Sequence, residues 1–220
     1  EGDWEKSLPD YYGICRRLDE NLGRINDYLK NSGLNKNTVI IYTSDHGSHF
    51  RTRNIEYKRS CHDSSIRIPF VIYGSEFRSG KVISEMVSLI DFAPTLLDIA
   101  GLKKPDNMQG RSIIPLIYEE KIEWPEEVFI QISESQVGRA IRTKYWKYGV
   151  VAIDKNGTKD MDSDRYTEQY LYDLQKDPYE LNNLVDKTEF TDIRKQLSTI
   201  LQKRMIEAGE KIPEIVPSRK

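Results

Sequence analysis

Thr38-Val39-Ile40-Ile41-Tyr42-Thr43-Ser44-Asp45-His46-Gly47 is the stretch on which the architecture turns. Thr38 to Thr43 is a short apolar, β-branched run, the pattern of a strand buried on both faces. It stops at a polar cluster, Ser44-Asp45-His46-Gly47. Upstream, Tyr11, Ile14, Cys15, Leu18, Leu22, Ile25 and Leu29 recur at steps of three and four. That spacing predicts an amphipathic helix laid on a core, with Cys15 on its apolar face. Gly33 is placed to end it as a left-handed cap. Helix, short turn, buried strand and polar residues at the carboxyl end of the strand are the grammar of an open α/β sheet.

Downstream, Ser48 to Ser65 has neither period and reads as a long surface loop, a class that is more often functional than idle. Ile68 to Tyr73 predicts a second buried strand, with Pro69 near its start. Asp91 to Gly101 predicts a helix with Pro94 in its first turn and Gly101 as its stop. Gly110-Arg111-Ser112, followed by Ile113 to Leu116, reads as a loop docking back onto the core. At Trp124-Pro125-Glu126 the pattern changes. Val128–Ser133, Arg139–Thr143, Trp146–Ala152 and Gln169–Leu174 are four strand candidates with no helix between them, so antiparallel pairing is expected. Asn156-Gly157 carries a hairpin-turn signal. Phe190, Ile193, Leu197, Ile200, Leu201 and Met205 mark a closing helix, and the tail after Gly209 is expected to fray. The expected domains are therefore 1–125, an α/β core, and 126–220, a four-stranded antiparallel sheet with a C-terminal helix.

The composition narrows the function classes. Among 220 residues, 33 basic side chains face 35 acidic ones, for a formal charge of −2. Such a balance offers no electrostatic footprint for nucleic acid or an anionic membrane surface. No apolar run approaches the roughly 18 residues of a membrane span. Two cysteines, Cys15 and Cys61, form neither a disulfide framework nor a zinc pair. Oligomeric state leaves no mark in the sequence.

All three histidines, His46, His49 and His62, share one window with Asp45, Arg51, Arg53, Lys58, Arg59, Asp63 and Arg67. Asp45 and His46 directly follow the strand, where α/β sheets place ligands. A carboxylate and an imidazole there can hold a divalent ion; capping of a turn by Asp45 is the structural alternative. Lys58 stands among cations suited to an oxyanion such as sulfate or phosphate, or else belongs to a solvated basic loop. His62 can serve as a general acid or hydrogen-bond donor, or be tied structurally to Asp63. His49 reads as a loop residue, Cys61 as a small packing residue rather than a nucleophile, and Arg139, Arg142 and Lys144 as solvated strand residues or else as contacts to a substrate.

The segments Asn37–Gly47, Tyr57–Pro69, Leu89–Leu97, Gly110–Ser112 and Tyr172–Leu184 occur in an order that resembles the type I, formylglycine-dependent sulfatases of the alkaline phosphatase superfamily. The resemblance covers about Tyr11 to Met205. It implies an alkaline-phosphatase-like α/β core, here its C-terminal part, followed by a small antiparallel sheet with a C-terminal helix. It implies hydrolysis of a sulfated carbohydrate or aryl sulfate. Carried over by residue, Asp45 and His46 become calcium ligands, Lys58 the sulfate-binding cation, Arg67 a further substrate contact and His62 an active-site donor. An Asp-His pair also occurs in relatives that cleave phosphate esters or phosphonates with Mn2+ or Zn2+. The family's nucleophile motif, C/S-x-P-x-R, begins at neither Cys15 nor Cys61; near Pro217-Ser218-Arg219, Ile215 stands where its cysteine belongs. The paired aspartates of the first strand are absent too. The expectation is a C-terminal portion, inactive alone, whose formylglycine lies in an N-terminal half outside this sequence. Non-catalytic anion binding is a further alternative. A periplasmic or extracellular location follows from the family alone.

Overall fold

A computed structural model describes residues 2–74, 76–77 and 80–218, so Arg219 lies outside the described residues. The chain divides into two compact units, residues 1–82 and 83–220.

The first unit opens with helix α1, Trp4–Asn31. It ends as the sequence predicts: Gly33 adopts φ +74°, and its N–H bonds the Lys30 carbonyl at 3.2 Å. Strand β1, Ile40–Thr43, pairs antiparallel with β2, Phe70–Tyr73, in the register Ile40↔Tyr73 to Thr43↔Phe70. A single-turn helix, α2, covers Asp63–Ile66. Two expectations fail here for one geometrical reason. Neither strand is buried on both faces; every residue of β1 is half-buried. The apolar stripe of α1 is also open, with Ile14 61%, Leu18 47% and Ile25 55% exposed. Cys15, expected in the core, is exposed with it. A helix of 28 residues runs about 42 Å. Strands of four residues run only about 13 Å, so a two-stranded sheet cannot cover it. A cleft of about 340 Å³ lies between Leu22, Asn26, Ile40, Tyr42 and Val71.

The second unit begins with a turn leading into α3, Phe92–Ile99. Asp91 is the hinge pin of this region. Its carboxylate accepts the N–H of Ser88 at 2.9 Å and that of Arg111 at 3.0 Å, while Thr95 takes the N–H of Ile113 at 3.1 Å. Gly110 lies so close to the Ile90 carbonyl that a Cβ would sit 1.9 Å from its oxygen. The glycine is therefore needed for close approach, and the loop docks as expected before α4, Ile114–Ile117.

The main sheet orders as β3-β4-β5-β6-β7. Its strands are β3, Glu127–Ile132; β4, Val137–Thr143; β5, Trp146–Ala152; β6, Arg165–Asp173; and β7, Glu214–Val216. The first four pair antiparallel. Where a frayed tail is expected, β7 instead pairs parallel with β6 through Tyr166↔Ile215. The rest of the β6 edge is closed by Asn183. Its side-chain oxygen accepts the Leu171 N–H at 3.0 Å, its amide donates to the Gln169 carbonyl at 2.8 Å, and Leu184 N–H reaches the Leu171 carbonyl at 2.8 Å. One segment thus imitates a strand.

Helix α5, Thr191–Glu207, lays Leu197, Leu201 and Met205 on Ile141, Tyr148, Val150, Tyr166 and Leu171, which form the core. Burial, the charge of Glu168 and a hydrogen bond to it raise the Tyr148 phenol far above its ordinary value. Asn156-Gly157 makes no two-residue hairpin. The Asn156 side chain accepts the N–H of Thr158, and Gly157 packs so close to Gln136 that a Cβ would lie 2.5 Å from the Gln136 nitrogen. Arg139, expected in solvent, is buried. It donates to Glu210 at 2.7 Å, the Gly138 carbonyl at 2.8 Å and the Met161 carbonyl at 2.7 Å. Among the described residues no helix is long and apolar enough to cross a membrane.

Candidate active site

β1 delivers Ser44 to Gly47 as a tight, internally bonded turn. Ser44 Oγ donates to the His46 carbonyl at 2.9 Å, and the His46 N–H to Asp45 Oδ1 at 3.0 Å. His46 Nδ1 lies 2.8 Å from the Gly47 carbonyl. A carbonyl only accepts, so Nδ1 carries the hydrogen and Nε2 presents a lone pair. That lone pair receives the Lys58 ammonium at 2.7 Å. Asp45 Oδ2 is 3.4 Å from the same nitrogen, on a carboxylate that is 82% exposed. Desolvation pushes the Asp45 carboxyl up, but His46, two backbone N–H groups and the Lys58 charge together hold it below the usual carboxylate range.

Gly47 fastens this turn to the next one. Its N–H donates to the Ser65 carbonyl at 2.7 Å, and a Cβ would fall 2.2 Å from the Ser64 carbonyl oxygen. Backbone cannot step aside as a side-chain end can. Gly47→Ala is expected to cost roughly 1–3 kcal/mol, the usual penalty for overpacking. Urea denaturation measures it, and an unchanged midpoint would contradict the contact.

The loop from Ser48 onward is not the solvated run its composition suggests. His49, Ser60, Cys61, His62 and Ser65 are all buried. Phe50 at φ +49°, Arg51 at +61° and Arg59 at +60° hold left-handed backbone without glycine. Such conformations persist where the surroundings over-determine them. The restraints are visible. Tyr57 donates its hydroxyl to Asp3, Arg51 lies 4.8 Å over the Tyr57 ring, and the Asp3 N–H bonds the Phe50 carbonyl at 2.9 Å.

The structure thus brings Asp45, His46 and Lys58 together. His62 is placed differently: its ring is 1% exposed and its carbonyl caps α2, accepting the Ser65 N–H at 2.8 Å. Arg67 is exposed at the end of α2. His49 and Asn54, passed over by sequence reasoning, both bond the Lys58 carbonyl, at 3.0 and 3.2 Å. A carboxylate and an imidazole nitrogen 3.4 Å apart suit two positions around a divalent ion. Among the described residues no third His, Cys, Asp or Glu completes such a group, so the pair fits part of a shell and not the whole.

The chain is similar to known proteins. The family described as "N-sulphoglucosamine sulphohydrolase, C-terminal" matches residues 54–207, and the family described as "Sulfatase" matches residues 2–102. The chain belongs to the sulfatase family, of whose fold it carries the C-terminal portion. An N-acetylglucosamine-6-O-sulfatase of Bacteroides thetaiotaomicron is 28% identical, over 96% of this chain and 38% of its own length. Arylsulfatase K of Canis lupus familiaris is 34% identical, over 80% of this chain and 33% of its own length. The chain therefore spans little more than a third of these relatives. A structure solved with its substrate D-glucosamine-2-N,6-O-disulfate superposes with a TM-score of 0.75 at 28% identity, covering 89% of this chain and 40% of that one. The phosphonate monoester hydrolase of Agrobacterium radiobacter reaches 0.71 at 26% identity, covering 90% and 41%.

Proposed function

We propose that this chain is the C-terminal part of a sulfuric ester hydrolase that acts on sulfated sugars or aryl sulfates. The observation that carries this reading is the Lys58 ammonium, 2.7 Å from His46 Nε2 at the end of β1. Asp45 and His46 would supply two ligands to a divalent ion, calcium by family resemblance. When bound, that ion would polarise the sulfate oxygens as a Lewis acid. Lys58 contributes a fixed positive charge from the protein itself, which binds an ester oxygen and gains strength as negative charge grows on the departing group. The Gly47 carbonyl fixes His46; the Nε2 lone pair that accepts from the ammonium would pass to the ion on binding and leave Lys58 to the ester oxygen. Arg67, exposed beside this loop, is assigned to the non-reacting part of the substrate, and His62 keeps its donor role by family resemblance alone.

The substrate class draws on the relatives: one is named for a 6-O-sulfated amino sugar, and one structure holds a disulfated glucosamine. The nucleophile, formylglycine by resemblance, and the remaining metal ligands would come from the part of the relatives that this chain does not span. The chain by itself is expected to be inactive. Export to the periplasm or outside the cell is part of the same reading, and neither nucleic acid nor membrane is a partner in it.

A phosphoesterase is the second reading, favoured by the phosphonate hydrolase likeness and by an imidazole beside the carboxylate, a donor that suits Mn2+ or Zn2+ better than Ca2+. The full-length protein, assayed on matched aryl sulfate and aryl phosphate, separates the readings. Faster sulfate turnover is expected. Faster phosphate turnover would overturn the assignment, and turnover of neither would favour anion binding without catalysis.

A further inference from the structure

We propose that His49 is a positioning residue, which fixes through the Lys58 carbonyl the backbone from which Lys58 reaches the site. This rests on the reading of Lys58 given above. His49 is 2% exposed, although it lies in a loop rich in charge. Its N–H and Nε2 are directed at one short segment, while its carbonyl accepts from Thr52 at 2.9 and 2.6 Å. The His49 N–H donates to the Tyr57 carbonyl at 2.8 Å, and His49 Nε2 lies 3.0 Å from the Lys58 carbonyl. Since that carbonyl can only accept, Nε2 carries the hydrogen. The excursion from His49 to Lys58 is thereby closed at the residue that bears the ammonium.

Asn54 closes it a second time. Its amide donates to the carbonyls of Lys58 at 3.2 Å and Arg59 at 3.3 Å, while its oxygen takes the Glu56 N–H at 2.8 Å. The chain then turns sharply at Arg59, φ +60°. A lysine side chain has four rotatable bonds, and its ammonium roams widely unless its Cα is held. Holding the peptide on both sides removes part of that freedom in advance, which is how preorganised sites gain rate.

A packing role alone does not account for the imidazole. Among the described residues, His49 Nδ1 is buried with no hydrogen-bond partner, a penalty that leucine or phenylalanine would avoid. The residue keeps a buried polar atom unsatisfied while its other nitrogen grips Lys58. What the donor does there is therefore the more economical explanation of its presence.

The test is a double-mutant cycle in the full-length protein, read as kcat/KM on an aryl sulfate. His49→Phe fills the space without a donor and is expected to lower the rate by about 10- to 100-fold, the scale of a misplaced catalytic group. In a Lys58→Ala background the same change should cost nothing more, because its effect runs through Lys58. His49→Gln, whose amide can donate to the same carbonyl, should restore most of the rate. If Lys58→Ala is damaging but His49→Phe is harmless, the positioning role is wrong and the reading of Lys58 survives. A harmless Lys58→Ala overturns that reading and this inference together. A further loss from His49→Phe in the Lys58→Ala background would show general damage and overturn positioning. Should His49→Phe fail to fold, His49→Gln decides alone: retained rate supports the hydrogen bond, and a loss rejects it.

Discussion

Lys58→Ala in the full-length protein is expected to lower turnover of a sulfate ester by roughly 10²–10³, the cost of deleting one preorganised donor from such a site. The magnitude follows from how firmly the group is held. Its carbonyl takes bonds from both His49 and Asn54, which fix the backbone that carries the ammonium. Little reorganisation remains when negative charge develops on the ester, so the interaction acts on the transition state more than on binding. The signature is a fall in kcat with KM much less affected. A variant within about twofold of wild type in kcat would remove Lys58 from the reacting centre.

Glu180→Ala is expected to destabilise the fold by about 3–5 kcal/mol, the range for stripping one partner from a buried ion pair. Lys147 on β5 pairs with Glu180, and their side chains are 0% and 2% exposed. The neighbours of Glu180 point outward, with Tyr179 at 77% and Leu181 at 73% exposure, so the turn carries the carboxylate inward alone. Asp177 builds that turn by accepting the N–H groups of Leu181 at 3.0 Å and Asn182 at 2.7 Å. Glu180 has φ +56°. Alanine keeps that left-handed strain, so the measured loss reports the charge and not the backbone. Lys147→Met combined with Glu180→Leu should recover much of it, since apolar replacement of both partners leaves no uncompensated charge. Urea midpoints at constant m-value check both variants. Equal midpoints for Glu180→Ala and wild type would mean that water reaches the lysine.

Local chemistry was the readable part of this chain. Gly33 and Gly101 end helices because the left-handed turn is a property of the residue itself, and both have positive φ. The strand candidates Arg139–Thr143 and Trp146–Ala152 pair antiparallel as expected, and one face of that sheet meets α5. Partners distant in sequence were not readable. Apolar spacing along α1 could not say that the strands beside it are too few to cover it. Asn156-Gly157 looked like a hairpin because its use against Gln136 is tertiary. In the site, Asp45 and His46 announced themselves by following a strand, and Lys58 by its company. His49 and Asn54 did not, because they act on peptide carbonyls, which every residue possesses and no sequence motif marks.

The two devices that close the β6 flank have a consequence for handling the protein. β7 occupies Arg165 to Thr167, and Asn183 with Leu184 occupies the peptide groups at Gln169 and Leu171. Proteolytic clipping near Lys211, or a bulky tag fused directly after Val216, would bare the leading end of a nine-residue strand. Unpaired donors and acceptors in such a row recruit strands from other molecules. The short strand β7 therefore acts as a guard against intermolecular β-addition, and preparations that lose it should be watched for fibrils or swapped dimers.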